Sequence, residues 1–235
     1  INSANTRTKV QEELNKATEL NHAMEALRNG VQNVDQVKQS NNYVNEDQPE
    51  QHNYDNAVNE AQATISNNAQ PVLDKLAIER LTQSVNTTKD ALHGAQKLTQ
   101  DQQAAETVIR GLTSLNEPQK NAEVAKVTAA TTRNEVSNIR QEATTLDTAM
   151  HGLRENIKDK NDTKNSSNYI NAEPSKKQAY NDAVQNAQNI INGTNQPTIN
   201  KGNVNTATQA VNNTKDALDG DHRLEEAKNN ANQTI

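Results

Sequence analysis

The chain has 235 residues, a formal net charge of −6, no Cys, Trp or Phe, and only 31% hydrophobic residues. Without Cys there is no disulfide framework and no thiolate metal site, and a pI near 5.4 leaves no basic stripe for nucleic acid. So little apolar material suits thin, Ala-rich helical bundles better than one thick core, and no apolar run approaches the length of a membrane span.

From the N-terminus, Val10, Leu14, Ala17, Leu20, Met24, Leu27, Val31 and Val34 recur at steps of three and four. This spacing predicts one continuous amphipathic helix of about 30 residues, about 45 Å long. It stops at Ser40-Asn41-Asn42. Tyr54, Val58, Ala61 and Ile65 mark a second helix, ended by the polar run from Asn67 to Pro71. Ile78, Leu81, Val85, Thr88 and Leu92 mark a third, and three such helices with short loops predict an antiparallel three-helix bundle. Gly94 follows, where a kink or brief break is expected because an interior Gly costs about 1 kcal/mol relative to Ala. Leu98, Ala105, Ile109 and Leu112 open a smaller bundle. Asn116-Glu117-Pro118 supplies a cap and an early proline for its second helix, which carries Val124 and Val127. Its third helix starts near Thr131 or Thr132. With no Gly or Pro between its start and the apolar stripe, it runs directly into Val136, Ile139, Ala143, Leu146, Met150, Leu153 and Ile157, so one long helix is expected to serve two bundles. Tyr180, Val184, Ala187 and Ile191, then Val204, Ala207, Val211, Thr214 and Leu218, repeat the second and third helices ahead of Gly220.

The repetition is exact in register. Shifting the chain by 126 positions aligns residues 1–109 with 127–235 without a gap, and about a third of the positions are identical. Tyr43, Tyr54, Pro71 and Gly94 return as Tyr169, Tyr180, Pro197 and Gly220. Low net charge and few Gly (7) and Pro (5), joined to this periodicity, argue against disorder.

Two patterns carry a family resemblance. The Tyr…Ala-Val…Ala-Gln…Ile…Pro…Ala-Leu-x-Gly series spans roughly 20–94 and 146–220. The series Leu98…Ile109…Leu112…Leu115-Asn116-x-x-Gln119-Lys120…Ala130-Thr131…Val136 lies between them. The chain resembles the giant staphylococcal extracellular-matrix-binding adhesins, built from alternating FIVAR and GA-like modules. The resemblance implies the end of a GA-like bundle at 1–19, FIVAR-like three-helix bundles at 20–94 and 146–220, a GA-like bundle at 95–145, and the start of another at 221–235. It also implies an all-α elongated rod of two alternating bundle kinds, monomeric, extracellular and anchored to the cell wall in its parent, with host matrix proteins such as fibronectin as partners. A signal and an anchor are expected outside these residues. Albumin-binding GA modules use an apolar surface on their second helix with aromatic help. Residues 117–127 hold no aromatic, and Val124 and Val127 are their only large apolar side chains, which argues against albumin.

An enzyme built twice would carry its acid, base or nucleophile in both copies. The identical charged positions are Arg7/Arg133, Arg28/Arg154, Lys38/Lys164, Lys75/Lys201, Lys89/Lys215 and Asp90/Asp216. No His or Glu is shared, one lone Asp makes no carboxylate pair, and the five His lack metal-ligand spacing. No catalytic, cofactor or metal residues are expected. The candidate partner contacts are Tyr43 and Tyr169 in the loop after the long helix, and the shared pairs Lys89-Asp90 and Lys215-Asp216. Two functions fit: a spacer with weak multivalent adhesion, or a dedicated module for one serum protein or cell-wall glycan.

Overall fold

The computed structural model describes residues 1–193 and 196–234. They form helices α1 (Arg7–Gly30), α2 (Val34–Gln39), α3 (Asn41–Val44), α4 (Gln48–Ser66), α5 (Lys75–Asp90), α6 (Gly94–Gly111) and α7 (Glu117–Ala129). After these come α8 (Arg133–Asn156), α9 (Lys160–Asn165), α10 (Ser167–Ile170), α11 (Pro174–Asn192), α12 (Lys201–Asp216) and α13 (Gly220–Thr234). No strand occurs among the described residues. The chain divides into two compact units, Ile1–Gln100 with Thr131–Arg133, and Asp101–Ala130 with Asn134–Ile235.

In the first unit α1, α4 and α5 pack on one another. Leu27, Tyr54, Val58, Ala61, Ile78 and Val85 fill the seam, each no more than 2% exposed. The stop signals in the sequence act as caps. Asp74 accepts from the Leu76 amide at the head of α5, and Ser40 accepts from the Tyr43 amide at the head of α3.

The second unit repeats this bundle around Leu146, Met150, Leu153, Tyr180, Val184, Ala187, Val204 and Val211. Beside it lies the smaller bundle, whose Ala105, Ile109, Val124, Val127, Val136 and Ala143 are buried. The α6–α7 loop joins the two inside this unit. Leu115 belongs to the larger core and Leu112 packs against it. The Asp147 carboxylate accepts from the amides of Ser114 (2.7 Å) and Leu115 (3.1 Å), and Arg154 donates to the Ser114 carbonyl. Asn116 and Gln119 form a reciprocal capping box on α7. Their remaining donors reach across to the carbonyls of Ile190, Ile191 and Thr198. Gln119 is fully buried, and a bond at each end of its amide offsets the cost of taking it out of water.

Two expectations need correction. The long helix is not continuous: α1 ends at Gly30 and α8 at Asn156, and each restarts after a three-residue turn as α2 or α9. The turns tighten to i→i+3 bonds, Val31 N to Arg28 O in the first copy and Lys158 N to Glu155 O in the second. Val34 and Ile157 stay buried through the bend, so the apolar spacing carries no sign of it. Val10, Leu14 and Ala17 also stand on the expected core stripe, yet all are exposed, Val10 by 40% and Leu14 by 49%. Their counterparts Val136 and Ala143 are buried in the smaller bundle, where α6 and α7 precede α8, whereas no helix precedes α1 in residues 1–6.

The interruptions at Gly94 and Gly220 are present, each after a three-residue break from the preceding helix. Their cause is packing. A Cβ on Gly94 would stand 2.5 Å from the Glu46 amide nitrogen and 2.6 Å from the Asn42 carbonyl oxygen. One on Gly220 would strike the backbone of Asn168 and Ala172. The first turn of each following helix is seated on the backbone of α3 or α10.

Candidate partner-contact site

Tyr43 enters the first bundle on the short α3 that Ser40 caps. Its ring meets Tyr54 edge-on at 6.2 Å and 67°, and its hydroxyl donates to the Asp55 carboxylate at 2.9 Å. Lys38 pairs with the same carboxylate at 2.9 Å and lies 6.0 Å from the Tyr43 ring centre. Burial opposes the charge on Asp55, but the bonds from Lys38 and Tyr43 outweigh it and hold its pKa below the ordinary value. Burial, then the bond to Asp55, pushes the Tyr43 phenol up. In the second copy Tyr169 repeats the edge contact, with Tyr180 at 6.1 Å, but its hydroxyl donates to the Asn181 amide oxygen and its neighbouring cation is Lys177. Both tyrosines, expected in a loop, stand on the short helices α3 and α10 and are half-buried.

Lys89 and Asp90 are exposed on the last turn of α5. They line a groove of about 670 Å³ with Asn33, Val37, Ser40, Asn42 and His93. Asp90 also borders a second groove of about 510 Å³ between α1 and α5, floored by Ala23 and Ala26. Tyr43 lines neither, so the structure does not gather the three candidate residues of the first copy into one site. In the second copy Lys215 reaches Asp159, which stands where the first copy has Asn33. The bond to Asp159 raises the Lys215 pKa against burial, and Asp216 stays exposed.

A second cluster escaped the sequence reading. At the α3–α4 turn, Glu46 is buried and accepts from Lys97 and from the His93 amide. Asp47 pairs with Lys97 at 2.5 Å and with Arg133 at 2.7 Å. Glu46, Asp47 and Glu50 bring one carboxylate oxygen each within 4.8 Å of one another, and two cations already answer the first two. The signal was present in the shared Arg7/Arg133, Asn45/Asn171 and Gly94/Gly220, but nothing in spacing shows that these positions meet.

Similarity to known proteins fits this geometry. The FIVAR domain matches residues 23–93 and 149–219, and the GA module matches 1–23 and 95–149. The chain belongs to the FIVAR family. Along the chain the FIVAR and GA matches alternate. The chain is 43% identical over its whole length to extracellular matrix-binding protein ebh of Staphylococcus aureus strain MW2. It has the same identity to EbhA of strain Newman. It spans only 2% and 7% of those relatives' lengths. The crystal structure of the EbhA 756–1003 domain from S. aureus superposes with a TM-score of 0.81 at 34% identity, over 90% of this chain and 84% of that one. A structure from work on Embp-mediated Staphylococcus epidermidis adherence to fibronectin matches with a TM-score of 0.51 at 33% identity, over 53% of this chain and 98% of that one. Neither matching family is a family of enzymes. Among the described residues no helix is long and apolar enough to cross a membrane.

Proposed function

We propose that this FIVAR–GA segment is a non-enzymatic part of a cell-wall-anchored surface adhesin, acting as a stiff monomeric spacer that also binds host matrix weakly through many copies. The module boundaries are those of the sequence reading. The observation that carries the proposal is the twofold construction of one FIVAR bundle in a chain so similar to EbhA, with exposed polar residues kept where the core does not require them. Along α5 and α12, Gln83/Gln209, Asn86/Asn212 and Asp90/Asp216 are identical and exposed in both copies. Fibronectin is the favoured partner, because a related structure comes from work on adherence to it. Stiffness is supported inside the second unit, where α8 runs unbroken over residues 134–156 and Leu115 of the GA module enters the FIVAR core. Tyr43, Lys89, Asp90, Tyr169, Lys215 and Asp216 are the proposed contacts.

The test is binding of the whole chain to immobilised fibronectin, other matrix proteins, albumin and cell-wall glycans. Weak binding to a matrix protein is expected, rising steeply when the chain is displayed in many copies. Replacing Lys89, Asp90, Lys215 and Asp216 together by Ala should weaken it severalfold. Tight monovalent binding to albumin or a glycan would replace this reading with that of a dedicated ligand module.

A further inference from the structure

The groove at the end of α5 lies wholly inside the first unit, and the two FIVAR copies differ in how they treat the lysine at its centre. In the second copy the Lys215 ammonium holds the Asp159 carboxylate at 2.5 Å. Asp159 stands in the turn between α8 and α9, and at the same place, between α1 and α2, the first copy has Asn33. A neutral carboxamide does not supply that charge. Lys89, the counterpart of Lys215, is exposed and makes no ion pair and no side-chain hydrogen bond among the described residues.

The rest of the lining changes in the same direction. Gln36 stands for Asp162 and His93 for Asp219, so three acids of the second copy are neutral or basic residues in the first. Asp90, shared as Asp216, is the one acid left in this lining. An incoming carboxylate would meet Asp159, Asp162, Asp216 and Asp219 at the equivalent positions of the second copy, with Lys215 already taken. At the first copy it meets a single acid and an unpaired ammonium. Like charges set together reject a ligand as effectively as opposite charges select one.

The groove also suits a short stretch of peptide. Its volume of about 670 Å³ admits a few residues. Asn33 and Gln36 are exposed carboxamides able to pair with backbone N–H and C=O groups, and the half-buried Val37 adds apolar surface.

We propose that this groove receives the carboxylate of an Asp or Glu side chain from an acidic peptide segment of a partner protein, seated on Lys89 as Asp159 is seated on Lys215. The proposal rests on reading Lys89 as a partner contact, and it adds the chemistry of the partner and a difference between the copies. The first copy is open to an acid from outside, and the second is filled by its own aspartate. The contact is a point charge on a flexible, exposed side chain, so it is weak and sensitive to salt.

The test is nuclear magnetic resonance on the ¹⁵N-labelled chain with a short capped peptide carrying one Asp between glycines. The same peptide with Asn, and an oligogalacturonate, serve as the other arms. At millimolar concentrations the Asp peptide should shift amides at residues 33–42 and 89–93, leave 159–168 and 215–219 still, and lose its effect as salt rises. The Asn peptide should shift neither region. Lys89→Met should weaken binding about threefold, the scale of one exposed charge pair. Asn33→Asp should weaken it as much, by setting an acid on Lys89 from within. Asp159→Asn/Asp162→Gln should make the second copy respond. Asn33→Asp and the double variant only exchange residues that the other copy already carries, so neither threatens the fold. Equal shifts in both copies, shifts that the Asn peptide reproduces, binding untouched by Asn33→Asp, or a response to the oligogalacturonate alone would each overturn the proposal. No matrix protein is present, so failure here is distinct from failure to bind matrix.

Discussion

Gly94 and Gly220 are glycines for want of room. Neither has positive φ among the described residues, where Gly193 alone does. What each lacks is space for a Cβ against the backbone of the turn beneath it. Around this close approach the two copies solve one electrostatic problem in opposite ways. In the first, the acid is on the turn: Glu46 accepts from the His93 amide and Lys97. In the second, Ala172 replaces that Glu and Asp219 replaces the His, and Asp219 accepts from the Glu173 amide at 3.0 Å and Lys176 at 2.9 Å. The acid has crossed the joint. Burial alone would raise the Glu46 pKa, but its bonds from Lys97 and from the amides of Asp47 and His93 together hold it below the ordinary value. A depressed carboxylate stabilises the fold above its unfolded pKa, and that stability is lost as pH falls through the folded pKa. Melting temperature should therefore be flat down to about pH 5 and fall below it. Glu46→Gln should melt lower at neutral pH and converge on the parent in acid, and an acid slope equal to the parent's would remove Glu46 from the account.

At the scale of the element, caps and turns carry more than their local helix. Asn116 closes a capping box at the head of α7 and also donates to the carbonyls of Ile190 and Ile191 at the end of α11. Asp74 caps α5 with no such second duty among its hydrogen bonds. Asn116→Ala should thus cost about 1–2 kcal/mol, more than the loss of a simple cap at Asp74→Ala, in urea unfolding of the chain. Equal losses would show that the bonds to α11 contribute nothing. The same scale explains the broken long helix. A three/four apolar rhythm reports which residues face inward, and a tight turn that returns Val34 or Ile157 to the core preserves it. Ser40 was legible as a stop signal but not as a helix start, and Ser166 caps α10 in the same way, because a four-residue helix has no periodicity to read.

Across the whole molecule, two cores of similar composition lie in different units. Leu27 is fully buried among Tyr54, Val58, Ile78 and Val85, and Leu153 among Met150, Tyr180, Val184 and Val211. A carboxylate at either position has no cation inside its core and costs several kcal/mol, enough to unfold a thin bundle. Because repeat arrays couple chiefly between neighbours, Leu27→Asp should spare the second bundle and Leu153→Asp the first. Residue-resolved hydrogen exchange checks this. Loss of protection throughout the chain from one substitution would make it a single cooperative domain.

The sequence by itself determined the helical class, the 126-residue repeat and the inward residues of the main helices apart from the first half of α1, and it offered the tyrosine and Lys-Asp candidates, because local spacing and internal comparison report these directly. The tertiary structure alone decided three things. The long helices bend at residues 31–33 and 157–159, a tightening that no Gly or Pro common to both copies marks. The candidate tyrosines turned inward, since a half-buried ring is set by a neighbour such as Tyr54 or Tyr180 from another helix. The α3–α4 turn brought Asn45, Glu46, Gly94, Lys97 and Arg133 together, because residues up to 88 positions apart meet only once their bundles are packed.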